Sequence, residues 1–318
     1  MQPSRAATKV IRDWYMDSRH WDKYEPRPGD VVIATAPKVG TTWTQQIVNL
    51  LIFQSAEPRT LGMLSPWLDS RAIFPLDMML GIIDGQDHRR FIKSHLPLTA
   101  LPIYDEVRYI HVARDGRDAA MSFLNHCNSY TDGALGRLDA VGLADPAIGK
   151  PFPRAPKTSR EFFHYWLTNS DQPTGMAGLF FDIERSFWTE RARPNVLLVH
   201  YNDLKADLSA EMARIAAFLD IETPADLWPK LVEAARFEAM QRDGDKLLAG
   251  MEMGFEGGHK SFLHKASNNR WQGEVAQEDL ELYAQKVATE FSPNLARWVE
   301  GGRAIAGEPR RSADQASW

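Results

Sequence analysis

The feature that most constrains the fold is a pattern met three times: a short, β-branched, mostly apolar run that leads into residues with helical spacing. The runs are Asp30 to Thr35 (DVVIAT), Arg108 to Ala113 (RYIHVA) and Asn195 to His200 (NVLLVH). Runs of this kind, without polar alternation, read as strands buried on both faces. A weaker run covers Phe91 to Ser94. Three apolar sets then recur at helical spacing: Trp43, Ile47, Leu50 and Leu51; Ala119, Phe123, Leu124 and Cys127; Met212, Ile215, Ala216 and Leu219. Strand followed by helix, repeated, predicts an α/β protein with a central, mostly parallel sheet and helices on both faces.

The 318 residues, 44% apolar and 25% charged, suffice for a large core. We expect one domain over residues 1–300 and a mobile tail, rich in Gly, Ala and Arg, over 301–318. Thr223-Pro224-Ala225-Asp226 predicts a helix start, with the helix running to about Arg236. Residues 243–269 hold five glycines with little periodicity, which predicts a long irregular segment, and 277–291 reads as helix again. The net charge of -5 excludes a nucleic-acid partner, which needs a clustered basic surface. Cys127 is the single cysteine, expected to be a small buried residue, so no intrachain disulfide or cysteine-based zinc site can form. No run approaches the ~18 apolar residues of a spanning helix. These features predict no integral membrane association and a cytoplasmic location.

The first strand runs straight into Ala36-Pro37-Lys38-Val39-Gly40-Thr41-Thr42-Trp43. A strand-to-helix turn aims backbone N–H groups and the positive helix end at one point, the arrangement that cradles an anion. Gly40 permits close approach, Thr41 and Thr42 add hydroxyls, and Lys38 adds charge. The lysine precedes the glycine, so this is no Walker A loop, although the fold it implies is P-loop-like and three-layered. Two further blocks carry chemistry. In Phe91-Ile92-Lys93-Ser94-His95-Leu96-Pro97, alternation along a strand puts Lys93 and His95 on one face, a cation and a base for one acceptor oxygen. In the block from Arg114 to Ser122, Arg114 offers a planar fork for phosphate oxygens and Ser122 a short donor. Arg117 and Asp118 read as a structural ion pair or helix-end charges.

Together these blocks resemble the cytosolic sulfotransferase family: P-K-x-G-T-T-W for its 5′-phosphosulfate loop, K-[TS]-H-[LT]-P for its catalytic strand, and R-[DN]-x-[RK]-D-x-x-x-S for its 3′-phosphate segment. The resemblance implies transfer of a sulfuryl group from 3′-phosphoadenosine 5′-phosphosulfate (PAPS) to a hydroxyl or amine acceptor. His95 would be the general base, and Lys38 and Lys93 would stabilise the transferring group without a metal. Lys38, Val39, Gly40, Thr41, Thr42 and Trp43 would hold the 5′-phosphate, and Arg114 and Ser122 the 3′-phosphate. Tyr201 and Phe237 would meet the adenine. Phe262, His264, Lys265 and Ala266 match the family's F-x-R-K-G segment, with His264 in place of Arg and Ala266 in place of Gly. Residues 65–69 and 89–91 are similar to bacterial members, including glycolipid-type enzymes, so a small-molecule or glycolipid acceptor is expected. Trp67, Phe74, Phe123 and Tyr130 are candidates for an apolar acceptor pocket or for plain core. The family's dimerisation segment is poorly matched at residues 271–275, and the sequence assigns no oligomeric state. The alternatives are a nucleotide-dependent kinase and a non-catalytic adenosine 3′,5′-bisphosphate (PAP) binding protein.

Overall fold

The computed structural model describes residues 1–169 and 177–314. Its sheet has four strands: β1 (Val31–Ala34), β2 (Phe91–Ser94), β3 (Arg108–Ala113) and β4 (Val196–His200). All neighbours run parallel, in the order β2-β1-β3-β4. Every strand residue except Lys93 and Arg108 is buried. Successive strand residues face opposite sides, so burial throughout means that both faces of the sheet are covered. The entry to β1 is pinned by Arg90, 1% exposed, whose guanidinium grips the Asp30 carboxylate. Removing either partner would strand a buried charge, so we read this pair as structural.

Each of the three strong strands leads into a helix: α1 (Thr41–Phe53) after β1, α2 (Gly116–Asn128) after β3, and α3 (Tyr201–Ala206) after β4. Side chains cap the latter two: Asp115 accepts from Arg117 N at 2.8 Å, and His200 Nδ1 from Asn202 N at 3.1 Å. The chain passes from β2 on one side of β1 to β3 on the other. That reversal opens a crevice beyond the carboxyl ends of β1 and β3, where open parallel sheets bind ligands.

Several expectations need correction. The helix read from Thr223 begins only at Trp228 and ends at Ala234. The N–H groups of Leu227 and Trp228 both bond to Pro224 O, so residues 225–227 form a tight turn ahead of it. The segment 243–269 is not irregular throughout. It holds short helical pieces at Gly244–Leu247, Met251–Met253 and His259–Phe262, separated by Gly250, Gly257 and Gly258, all at positive φ. Such φ values interrupt a helix and favour glycine. Residues 301–314 lie against the body, where the Arg191 guanidinium donates to the carbonyls of Pro309, Ser312 and Asp314. Residues 315–318 lie outside the described residues. Arg117 pairs with Asp115 rather than Asp118 and lies 4.3 Å from the Trp271 ring centroid. Cys127 is half-buried rather than buried.

Candidate active site

The site begins with backbone geometry after β1. Lys38 and Gly40 take φ of +69° and +121°, and a Cβ at residue 40 would lie 3.1 Å from the Tyr201 ring. Gly40 therefore answers both a conformational and a steric demand. At Lys38 the left-handed conformation costs about 1–2 kcal/mol, strain of a kind that collects at functional loops. Among the described residues, the N–H groups of Val39, Gly40, Thr41, Thr42 and Trp43 have no backbone or side-chain acceptor. Five orphan donors at a helix start, on a strained loop, make a strong anion cradle. The Thr41 hydroxyl sits 2.6 Å from Thr35 Oγ1, which itself donates to Ala36 O. Thr41 thus directs its hydroxyl proton into the fold and offers the cradle its N–H instead. Trp43 donates to Ala235 O at 2.7 Å and meets the Tyr201 ring edge to face. Trp43 and Phe237 both pack on the small cluster of Leu61, Met240, Leu247, Leu248 and Leu263.

On the β2 side, Lys93 and His95 do share a face, since both lie against Trp67. The Lys93 ammonium is 4.6 Å from that ring's centroid, and the His95 ring meets it edge to face at 5.0 Å. Ser94 turns away, its hydroxyl accepting from Leu96 N at 3.1 Å. Beneath this face lies a residue for which sequence reasoning assigned no role. Asp69, fully buried, accepts from the indoles of Trp21 and Trp67 and from His95 N at 3.0 Å. It fixes both the ring that carries Lys93 and the backbone that carries His95.

His95 Nδ1 lies 2.8 Å from Thr35 O. A carbonyl can only accept, so Nδ1 bears the proton and Nε2 keeps its lone pair. Burial, then the charges of Lys93 and Lys38, hold the imidazole's pKa well below its usual value, against the opposing pull of the Thr35 bond. His95 is therefore an unprotonated base at neutral pH. The two lysines feel the same environment. Burial and then the charges of Lys93 and Arg114 bring Lys38 down to about 7, and burial brings Lys93 to about 8 despite Asp69 nearby. Cations so destabilised mark a place built to receive an anion.

Arg114, after β3, closes the other side. It donates to Lys38 O, Ser267 O and Asn268 Oδ1, and its guanidinium carbon lies 4.1 Å from the Tyr201 ring centroid. Its Nε is buried with no partner, so the fork keeps a donor in hand for a ligand. Ser122 sits half-buried on α2, and its hydroxyl makes no hydrogen bond among the described residues. Phe262 lies under the Lys38 ammonium, 4.3 Å from ring centroid to nitrogen. Ala266 is forced to φ +48°, where its family position favours glycine, and Lys205 donates to its carbonyl. His264 and Lys265 are exposed. The His264 pKa is lowered by partial burial and by Arg270, Lys265 and Lys38. Arg270 went unassigned in the sequence reading; it stands close enough to both His264 and Arg114 for its charge to act on them. It supplies a guanidinium near the segment where His264 has displaced one. Its signal was its place inside the stretch 262–271.

Fold and site together define an α/β protein whose strand ends gather an anion cradle, two buried lysines and a neutral imidazole, the parts that a group-transfer enzyme needs. The comparisons with known proteins agree. The sulfotransferase domain model matches residues 28–293. A glycolipid sulfotransferase of Mycobacterium tuberculosis is 32% identical over 309 residues, covering 92% of this chain and 94% of that protein. The luciferin sulfotransferase of Photinus pyralis is 25% identical over 283 residues, 80% of this chain and 70% of that one. Among solved structures, retinol dehydratase in complex with androsterone and PAP has TM-score 0.67 at 20% identity, covering 88% of this chain and 89% of that one. A mouse sulfotransferase complexed with PAP has TM-score 0.66 at 16% identity, covering 89% and 92%. The chain belongs to the sulfotransferase domain family, and it is a sulfotransferase.

Proposed function

We propose that this enzyme moves the sulfuryl group of PAPS to a hydroxyl of a small, glycolipid-type acceptor, with His95 as general base. The observation that carries the reading is the His95 tautomer: Nδ1 is committed to Thr35 O, which leaves a lone pair on Nε2, with the charges of Lys93 and Lys38 acting on the ring. Nε2 takes the acceptor proton as the acceptor oxygen attacks sulfur. The bond from sulfur to the bridging phosphate oxygen breaks, and PAP departs. Lys38 neutralises the oxygen that leaves, and Lys93 steadies the sulfuryl oxygens. Such a transfer depends on positioning and charge more than on covalent catalysis.

The orphan amides of residues 39–43 suit the 5′-phosphate, and the Arg114 fork with Ser122 suits the 3′-phosphate. Tyr201, Trp43 and Phe237 offer rings for the base. A sulfuryl group carries less negative charge than a phosphoryl group, so two lysines and a row of amides can replace a metal, and we propose that none is required. The glycolipid class of acceptor is supported by the mycobacterial relative, and a hydroxylated apolar acceptor by the androsterone complex. No described helix is long and apolar enough to cross a membrane; we propose a cytoplasmic location, in which a lone cysteine stays reduced. The test is a ³⁵S-labelled donor assay of the purified protein with alkyl glycosides, sterols and phenols, repeated with chelator. Label should pass to at least one hydroxylated acceptor, with and without chelator. PAP binding without transfer to any of them would overturn the reading in favour of a binding protein.

A further inference from the structure

One half-buried polar side chain near the candidate site has no part in the chemistry above. His126 lies on α2, one turn beyond Ser122. Four aromatic rings surround it: Phe123 stacks on it at 5.6 Å, and Tyr130, Phe255 and Phe262 meet it at 5.0, 4.6 and 5.9 Å. Among the described residues neither ring nitrogen has a hydrogen-bond partner, and Nδ1 is closed off from solvent. A polar nitrogen held among rings without a partner is a cost that folds rarely bear unless a ligand repays it. Burial, then the charges of Lys38, Lys93 and His95, hold its pKa well below the usual value, so it stands neutral near the candidate site. Phe262 connects the two directly, since it touches His126 on one hand and the Lys38 ammonium on the other.

The rings around His126 come from two segments far apart in sequence. Thr131 N bonds to Gly254 O and Glu256 N to Ser129 O, which brings Tyr130 and Phe255 into stacking at 26°. Aromatic faces with one convergent polar group form a specificity pocket. A neutral imidazole gives one donor and one acceptor, the complement of a hydroxyl.

We propose that His126 is a specificity-determining residue that holds a second hydroxyl of the acceptor, while His95 takes the proton from the first. The preferred acceptor is therefore a polyol with an apolar attachment, such as a sugar headgroup on an alkyl chain. This rests on the sulfuryl-transfer reading above. The probes are octyl glucoside, with several hydroxyls, and 4-butylcyclohexanol, with one.

His126→Phe keeps the ring packing and removes both nitrogens. It should lower kcat/KM for octyl glucoside by about 10-fold or more, chiefly through KM, as expected for a lost buried hydrogen bond. It should leave 4-butylcyclohexanol and the PAP dissociation constant within about twofold of the native values. His126→Gln, which retains a donor and an acceptor, should recover part of the loss. An equal fall for both acceptors, or no fall for the glucoside, would overturn the proposal. If the native protein binds PAP yet transfers to neither probe, the function reading fails. Calorimetric binding of octyl glucoside to the native and His126→Phe PAP complexes then decides the His126 role alone, and equal binding would reject it.

Discussion

The strand-end half of the site and the half that covers it are built by different means. Lys93 is locked into the sheet, its N–H bonded to Pro66 O, and His95 is held at three points by Asp69, Thr35 and the Trp67 ring. The covering half, from Gly244 to Trp271, holds helical pieces three or four residues long and shares a small apolar cluster with Leu61 and Met240. Helices so short have little stability of their own. The first half is held by buried hydrogen bonds, whereas the second rests on short elements that are easily rearranged. Chemistry should therefore be lost through changes at the strand ends, and affinity or selectivity tuned through changes in the cover.

The sharpest test of that division is His95→Ala. It should reduce kcat by about 10² or more while PAP affinity stays within a few-fold, measured by single-turnover kinetics and calorimetry. A matching loss of PAP binding would break the comparison. Next comes Arg114→Lys, which keeps the charge and loses the fork. PAP affinity should fall by about 10-fold or more, since charge-assisted bonds are worth about 1.5–3 kcal/mol each. In the cover, His264→Arg should raise PAP affinity by no more than about fivefold, as an exposed pair allows.

Proton linkage offers an intermediate effect with a defined sign. Lys38 at about 7 and Lys93 at about 8 release protons in the folded, ligand-free protein well below the ordinary lysine range. From about pH 7 to pH 10 the unfolded chain binds more protons than the folded one, so ligand-free stability should rise with pH across that window. A bound anion restores the protons. PAP binding should accordingly take up protons near pH 8 and weaken as pH rises beyond it. Calorimetry in buffers of different ionisation enthalpy reads this uptake, and proton release would contradict it. On the acid side, the lowered His264 pKa predicts a gain in PAP affinity as pH falls below neutrality, which His264→Ala should abolish. The smallest effect is expected for Ala266→Gly. Relief of the left-handed backbone and the looser unfolded chain oppose one another, leaving stability within about 1 kcal/mol. A drop in Tm of many degrees would show that the alanine side chain, not the backbone, matters there.

Much of the strand-end half was legible in the sequence because its residues follow one another along the chain. Lys38 and Gly40 trail β1, Lys93 lies in β2 with His95 directly after it, and Arg114 trails β3, so local spacing carried their geometry. The cover was read poorly. Its glycines predicted a formless loop where short helices form, and the substitutions at His264 and Ala266 drew notice while Arg270 did not. The helix placed at Thr223 started late because a proline-initiated turn looks the same in sequence as a helix start until its carbonyl partners are known.

By itself, then, the sequence determined the parallel sheet, the cradle that follows β1 and the alternation that pairs a lysine with a histidine. These depend on dihedral preference and side-chain period, which act between neighbours. The tertiary structure decided which nitrogen of His95 is basic, through a carbonyl 60 residues away. It also placed Asp69 beneath that histidine and brought Phe255 and Phe262 against His126. Those contacts arise when distant segments exclude water together, and no local pattern encodes which distant carbonyl or ring will arrive.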